Sequence, residues 1–157
     1  MKDSQKPKLP RLSVLVVEDN ESVLHDMCSC LEENIRLRKL HSVEIKRAIY
    51  LGSALMQSAK TDESITSVVS TDLGYPRTYA GKVDQKAGLL LINEVLKLRN
   101  ANIVIYSGHT IADTKNMLLQ AGLLENENDP RVTILLKRFD TSHTLWAKRT
   151  LDALSIR

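Results

Sequence analysis

Leu12-Ser-Val-Leu-Val-Val-Glu-Asp-Asn20 is a short run of apolar, mostly β-branched residues that stops abruptly at two adjacent carboxylates. An apolar run that does not alternate with polar residues suits a strand covered on both faces, as in a parallel sheet between helical layers. The residues that follow carry Val23, Leu24, Met27 and Leu31 at helical spacing, so the strand feeds a helix over 21–33. The same pairing recurs along the chain. Strands are predicted at 12–17, 43–48, 66–71, 103–106 and 132–136. Helices are predicted at 21–33, 52–59, 85–99 (with Asp84 as N-cap), 111–121 (with Thr110 as cap and Gly122 just beyond) and 143–154 (anchored by Trp146). Five βα units with right-handed crossovers make a doubly wound α/β sandwich of three layers. In such folds, chemistry gathers at the carboxyl ends of the strands.

The chain of 157 residues fits a single domain, and its 43% hydrophobic content closes one core without disulfides. Lys and Arg number 22 against 19 Asp and Glu, a net charge of +3 that gives nucleic acid no extended basic surface. Residues 1–11, with Lys2, Lys6, Lys8 and Arg11 beside Pro7 and Pro10, are expected to form a solvated basic arm, leaving 12–157 as the domain. The sequence has no apolar window long enough for a membrane span and no secretory signal, so a cytoplasmic protein without membrane contact is expected. Cys28 and Cys30 have neither zinc-site nor redox-pair spacing and read as reduced helix residues. His25, His41, His109 and His143 are too scattered for a histidine metal cage.

The strand ends carry the chemistry. Glu18 and Asp19 follow the first strand, Asp72 the third, Ser107 the fourth and Lys137 the fifth, so all five side chains are expected on one rim. Three carboxylates offer the hard oxygen ligands that Mg²⁺ prefers, and a hydroxyl with an ammonium suits a tetrahedral anion.

These residues resemble the response-regulator receiver domains of two-component signalling. Val14-Leu-Val-Val-Glu-Asp-Asn20 resembles the first strand and acidic pair of that family, and Ser70-Thr-Asp72-Leu-Gly-Tyr-Pro76 its phosphoacceptor segment. Ile103-Val-Ile-Tyr-Ser107-Gly108 resembles the fourth strand with its hydroxyl residue, and Leu135-Leu-Lys137-Arg-Phe139 the fifth with its lysine. Lys46-Arg-Ala-Ile-Tyr-Leu-Gly-Ser-Ala-Leu55 matches the second strand and the start of the second helix, so the likeness covers roughly residues 12 to 155.

The resemblance implies a flavodoxin-like sheet in the order 2-1-3-4-5. It implies that Asp72 is a nucleophile taking a phosphoryl group from the phosphohistidine of a histidine kinase or phosphotransfer protein, and that the protein catalyses its own phosphorylation and dephosphorylation rather than turning over an external substrate. Mg²⁺ (or Mn²⁺) would be held by Asp19, Asp72 and the backbone carbonyl of Gly74, with Glu18 acting through a water. Lys137 would contact a phosphoryl oxygen and Ser107 would bond another, moving inward as a switch, while Gly108 leaves room for the group. Gly74 and His109 would tune phosphate lifetime, and a downstream protein would read the switch.

Several features depart from the family pattern. Arg138 stands where receivers place a proline after the lysine, and a trans peptide is expected there. The position of the family's switch aromatic is Ile134, so the usual ring rotation cannot transmit the signal. The loops 77–87 and 123–131 are each longer than the family spacing by about eight residues, a length at which loops are often functional. The first, Arg77-Thr-Tyr-Ala-Gly-Lys-Val-Asp-Gln-Lys86, is basic and is a candidate lid or kinase contact. The second carries Glu125, Glu127 and Asp129 on the side where many receivers dimerise, so that dimer is not expected.

A degenerate receiver that binds proteins without phosphate remains the alternative. A phosphatase of the haloacid dehalogenase type lacks its second Asp, since Gly74 stands two residues after Asp72 and Glu21 two after Asp19. A nucleotide-binding role lacks a glycine-rich phosphate loop, and the acids at the first strand end also disfavour a flavin site. No output domain follows the fifth helix in this sequence, which suits either a stand-alone regulator or part of a larger one.

Overall fold

The structure is a computed structural model and describes residues 11–60, 64–125, 128–138 and 142–154. Of the predicted basic arm only Arg11 is described, and Glu127 and Phe139 lie outside the described residues.

Five strands form one parallel sheet. They are β1 (Arg11–Val17), β2 (Val43–Ala48), β3 (Ile65–Thr71), β6 (Ala101–Ser107) and β7 (Val132–Leu136), in the order β2-β1-β3-β6-β7. Counted within the sheet this is 2-1-3-4-5, as expected. Helices α1 (Glu21–Leu37), α2 (Leu51–Ala59), α3 (Ala87–Val95), α4 (Ile111–Gln120) and α5 (Thr144–Ala153) cover the two faces.

The alternation of side chains along each strand splits the apolar residues into two cores. Val14, Val16, Val68 and Val104 pack with Leu24, Met27 and Leu31 of α1 and Trp146 and Leu151 of α5. Leu15, Val17, Val69, Ile103 and Ile105 face the other way, toward Leu51 and Ala54 of α2, Leu91, Ile92 and Val95 of α3 and Leu118 of α4. Trp146 is buried and its indole N–H donates to Ser70 Oγ on β3 at 2.8 Å, fixing α5 to the sheet centre. Cys28 and Cys30 are both free thiols on α1.

Two helix starts are capped by side chains, of which Thr110 was expected from the sequence and Asn20 was not. Asn20 Oδ1 accepts from Val23 N at 3.1 Å and opens α1 directly after the acidic pair. Thr110 Oγ1 accepts from Asp113 N at 3.1 Å and opens α4, which Gly122 follows in the left-handed region. No cis peptide occurs among the described residues, so Lys137 and Arg138 are joined in trans as expected.

The third helix departs from the prediction at both ends. Asp84 does not cap it: this residue lies in a two-stranded hairpin of β4 (Tyr75–Pro76) and β5 (Val83–Asp84), where it pairs with Arg77 and accepts from Lys86 N. The helix starts at Ala87 and stops at Val95 rather than near Arg99. Its exit is held from outside. The Arg131 guanidinium donates to the carbonyls of Val95, Leu96 and Leu98, and to that of Ala101 at the start of β6. A cation on the carbonyl end of a helix satisfies orphan acceptors and opposes the helix dipole. The sequence held no local sign of this, because Arg131 lies more than thirty residues downstream.

Candidate functional site

Glu18, Asp72 and Lys137 are each the first residue past their strand. Glu18 follows β1, and its backbone N–H still donates to Ala48 O of β2 at 3.0 Å, which pins the side chain at the sheet edge. Its Oε1 accepts from Asn20 N at 3.2 Å. Asp72 follows β3, with Oδ1 accepting from Leu73 N at 2.7 Å. Thr71 Oγ1 donates to Asp72 O at 2.6 Å and is 3.0 Å from the buried Tyr75 hydroxyl, so the backbone at Asp72 is tied to the hairpin. Lys137 follows β7 and its N–H donates to Ser107 O at 2.7 Å.

The three side chains meet. Lys137 Nζ donates to Glu18 Oε2 at 2.5 Å and to Asp72 Oδ2 at 2.9 Å, and the side chains of Lys137, Glu18 and Asp72 are 13%, 6% and 21% exposed. Burial of this degree matters because it removes the solvent screening that makes surface ion pairs weak. Burial pushes the Glu18 carboxyl up and outweighs the opposing pull of Lys137. Burial pulls the Lys137 ammonium down, but the charges of Asp72 and Glu18 together overcome it and its pKa rises.

A raised carboxyl has a defined consequence for stability. The folded state binds the Glu18 proton more tightly than the unfolded chain, so the contribution of this group is full below the ordinary value of 4.5 and is lost as pH rises through the raised value. Glu18→Gln is therefore expected to gain on the wild type in unfolding midpoint as pH climbs through that interval. Parallel profiles of the two proteins in thermal denaturation across it would show that Glu18 titrates as it does unfolded.

Of the other residues singled out, Asp19 lies half-exposed on the turn between Glu18 and the helix cap Asn20. Ser107 is buried at the end of β6, its Oγ accepting from His109 N at 3.2 Å, and His109 itself is exposed. A Cβ added at Gly108 would meet nothing within 4 Å, so the space beside Ser107 is open. Ile134 packs, partly buried, against the core on the α2, α3 and α4 side. Among the described residues, no three His, Cys, Asp or Glu side chains stand together as a set that could hold a metal ion. The rim's charge nonetheless has a sign: Glu18, Asp19 and Asp72 against Lys137 leave two negative charges among these four groups.

Four residues at the site escaped the sequence reading. Tyr106 lies 5.6 Å below the Lys137 ammonium, stacks on Trp146, and its hydroxyl is 2.8 Å from His143 Nδ1 at the start of α5. An aromatic thus stands against the lysine from β6 rather than β7, linked through His143 to α5. Desolvation by burial and the Lys137 charge both lower the His143 pKa. Gln85 lies over Gly74, and Gly88 in the first turn of α3 touches the backbone of Asp72 and Leu73. The only sequence sign of Gly88 is a glycine inside a predicted helix.

No family model and no curated protein matches the chain. Solved structures do. A response regulator receiver domain protein from Clostridium thermocellum superposes with a TM-score of 0.61 at 19% identity, covering 92% of this chain and 94% of that one. A CheY-like receiver domain protein from Methanospirillum hungatei gives 0.60 at 15% identity, over 91% and 94%. The Thermotoga maritima response regulator TrrA, solved in complex with Mg²⁺ and beryllofluoride, gives 0.54 at 15% identity, over 90% and 97%. At these identities the likeness is one of fold, and the chain has the fold of receiver domains.

Proposed function

We propose that this chain is a phosphoacceptor receiver domain of a two-component phosphorelay, with Asp72 taking a phosphoryl group from the phosphohistidine of a histidine kinase or phosphotransfer protein. The reading is carried by one observation: an ammonium from β7 bridges two carboxylates that β1 and β3 deliver to the same rim. A lysine buried between acids is poised to follow charge, and a phosphoryl group arriving on Asp72 would bring more negative charge than the carboxylate it replaces.

In the transfer, a carboxylate oxygen of Asp72 bonds to phosphorus as the phosphorus–nitrogen bond to the donor imidazole breaks. Asp72 Oδ1 is oriented by Leu73 N, so the side chain is presented in one rotamer. Lys137 then shares its hydrogen bonds with a phosphoryl oxygen, and the Ser107 hydroxyl bonds another beside the open space at Gly108. Mg²⁺ or Mn²⁺ would draw hard oxygens from Asp19, Asp72 and the Gly74 carbonyl, with Glu18 through a water, and the rim's two net negative charges suit one divalent ion. Bound there, the ion would screen the repulsion between the carboxylate and the incoming phosphoryl oxygens. The Mg²⁺ and beryllofluoride of the Thermotoga structure support the same assignment.

The phosphorylated state would be read by a downstream protein, and the contact of Lys137 with Tyr106, continued to His143 on α5, is the route by which the rim reaches the surface. Incubation with Mg²⁺ and acetyl phosphate is expected to add one phosphoryl group to the intact mass. The adduct should be lost on hydroxylamine treatment, prevented by chelation, and mapped to the peptide carrying residue 72. A protein that gains no mass under these conditions is instead a module that binds its partners without phosphate.

A further inference from the structure

We infer that Gln85, delivered by the β4–β5 hairpin, sets the lifetime of the aspartyl phosphate by orienting the water that hydrolyses it. This deepens the phosphoacceptor reading above and rests on it. Burial alternates along the loop after β3: Asp72 and Gly74 are half-exposed, while Leu73 and Tyr75 are buried. Residues 72 and 74 therefore share the solvent side of the chain, and the space a side chain at 74 would fill is space beside the acceptor carboxylate. A carboxamide fills it. A Cβ added at Gly74 would meet Gln85 Oε1 at 2.7 Å, Cδ at 3.3 Å and Nε2 at 3.6 Å, and these are its three nearest neighbours.

The placement of Gln85 is held from both sides. Tyr75 pairs with Asp84 and Pro76 with Val83 across the hairpin, and Tyr75 is itself buried and bonded to Thr71. Arg77 pairs with Asp84, the Arg77 carbonyl accepts from Gly52 N at 3.0 Å, and Asp84 Oδ1 accepts from Lys86 N at 2.8 Å. Gln85 is also exposed, so water reaches it.

A carboxamide carries an acceptor and a donor on one rigid group, which lets its oxygen accept a hydrogen bond from a water while its NH₂ donates one to a phosphoryl oxygen. That is the arrangement that aligns water for in-line attack in phosphoryl transfer. In the hydrolysis, the water oxygen bonds to phosphorus as the bond from phosphorus to the Asp72 oxygen breaks. The carboxylate leaves with the electron pair, and the protons of the water depart with inorganic phosphate or to solvent. Gln85 itself is unchanged.

The test loads the full chain with Mg²⁺ and acetyl phosphate, removes the donor, and follows loss of the phosphoryl group by intact mass. Gln85→Ala is expected to load to the same extent and to lose the group about tenfold more slowly, as the loss of one positioned hydrogen bond requires. Adding Gly74→Asn to Gln85→Ala returns a carboxamide to the vacated space from the neighbouring backbone and is expected to restore most of the rate, which loosening of the hairpin alone would not allow. Decay of Gln85→Ala at the wild-type rate or faster, or a double variant as slow as the single one, overturns the inference and leaves the phosphoacceptor reading intact. Absence of any phosphoryl uptake by the wild type overturns both.

Discussion

Lys137→Met is expected to lower the free energy of unfolding by about 3 to 5 kcal/mol, the usual cost of removing one partner from a buried ion pair. The loss arises from what stays behind: Glu18 and Asp72, with side chains only 6% and 21% exposed, would face each other with Asp19 next in the chain and no ammonium between them. Part of the cost is relieved by protonation, since the Glu18 carboxyl is already held high by burial. Three outcomes together identify this mechanism in denaturant titrations. The variant is destabilised, adding Glu18→Gln recovers much of the loss, and Mg²⁺ raises the midpoint of the variant more than that of the wild type. Phosphoryl uptake should also fall by about two to three orders of magnitude, as when one electrostatic donor is deleted from a transfer site. A Lys137→Met protein within about 1 kcal/mol of wild type would mean the bridge contributes little beyond a surface pair.

Gly88→Ala is the second large effect. A Cβ there would stand 2.2 Å from Asp72 O and 2.6 Å from Leu73 Cα. Both are backbone atoms, so no side-chain rotation relieves the contact, and either the first turn of α3 or the loop after β3 must move. Overpacking of this kind costs about 1 to 3 kcal/mol or more, against a gain of about 1 kcal/mol from replacing glycine in a helix. A net loss of stability is expected, accompanied by slower acetyl phosphate loading, because a shift of about 1 Å in a reacting group can cost a factor of 100. A variant that is both stabilised and loaded at the wild-type rate would show that the approach of α3 to Asp72 imposes no constraint.

The hairpin shows where local reading stops. Arg77 to Lys86 was legible as a long basic insertion after the third strand and Asp72, but its structure depends on Tyr75 being buried beneath it and on Asp84 finding Arg77 rather than a helix N-terminus. Asp84 is an acceptable cap by residue type. The competing partner, seven residues earlier in the chain, took it, and α3 began two residues later than predicted.

The period and composition of the strands, with carboxylates, hydroxyl and lysine each placed at a strand end, determined the five-stranded parallel sheet, its two cores and the rim on which these side chains stand. Those features follow from side-chain alternation and crossover handedness, which every few residues restate. Tertiary structure alone decided that Lys137 joins Glu18 to Asp72, that Tyr106 lies beneath the ammonium, that Arg131 closes α3, and that Gln85 and Gly88 lie against the loop after β3. Each of these joins elements far apart in the chain or depends on a close approach that only packing creates, and neither leaves a periodic trace in the residues around it.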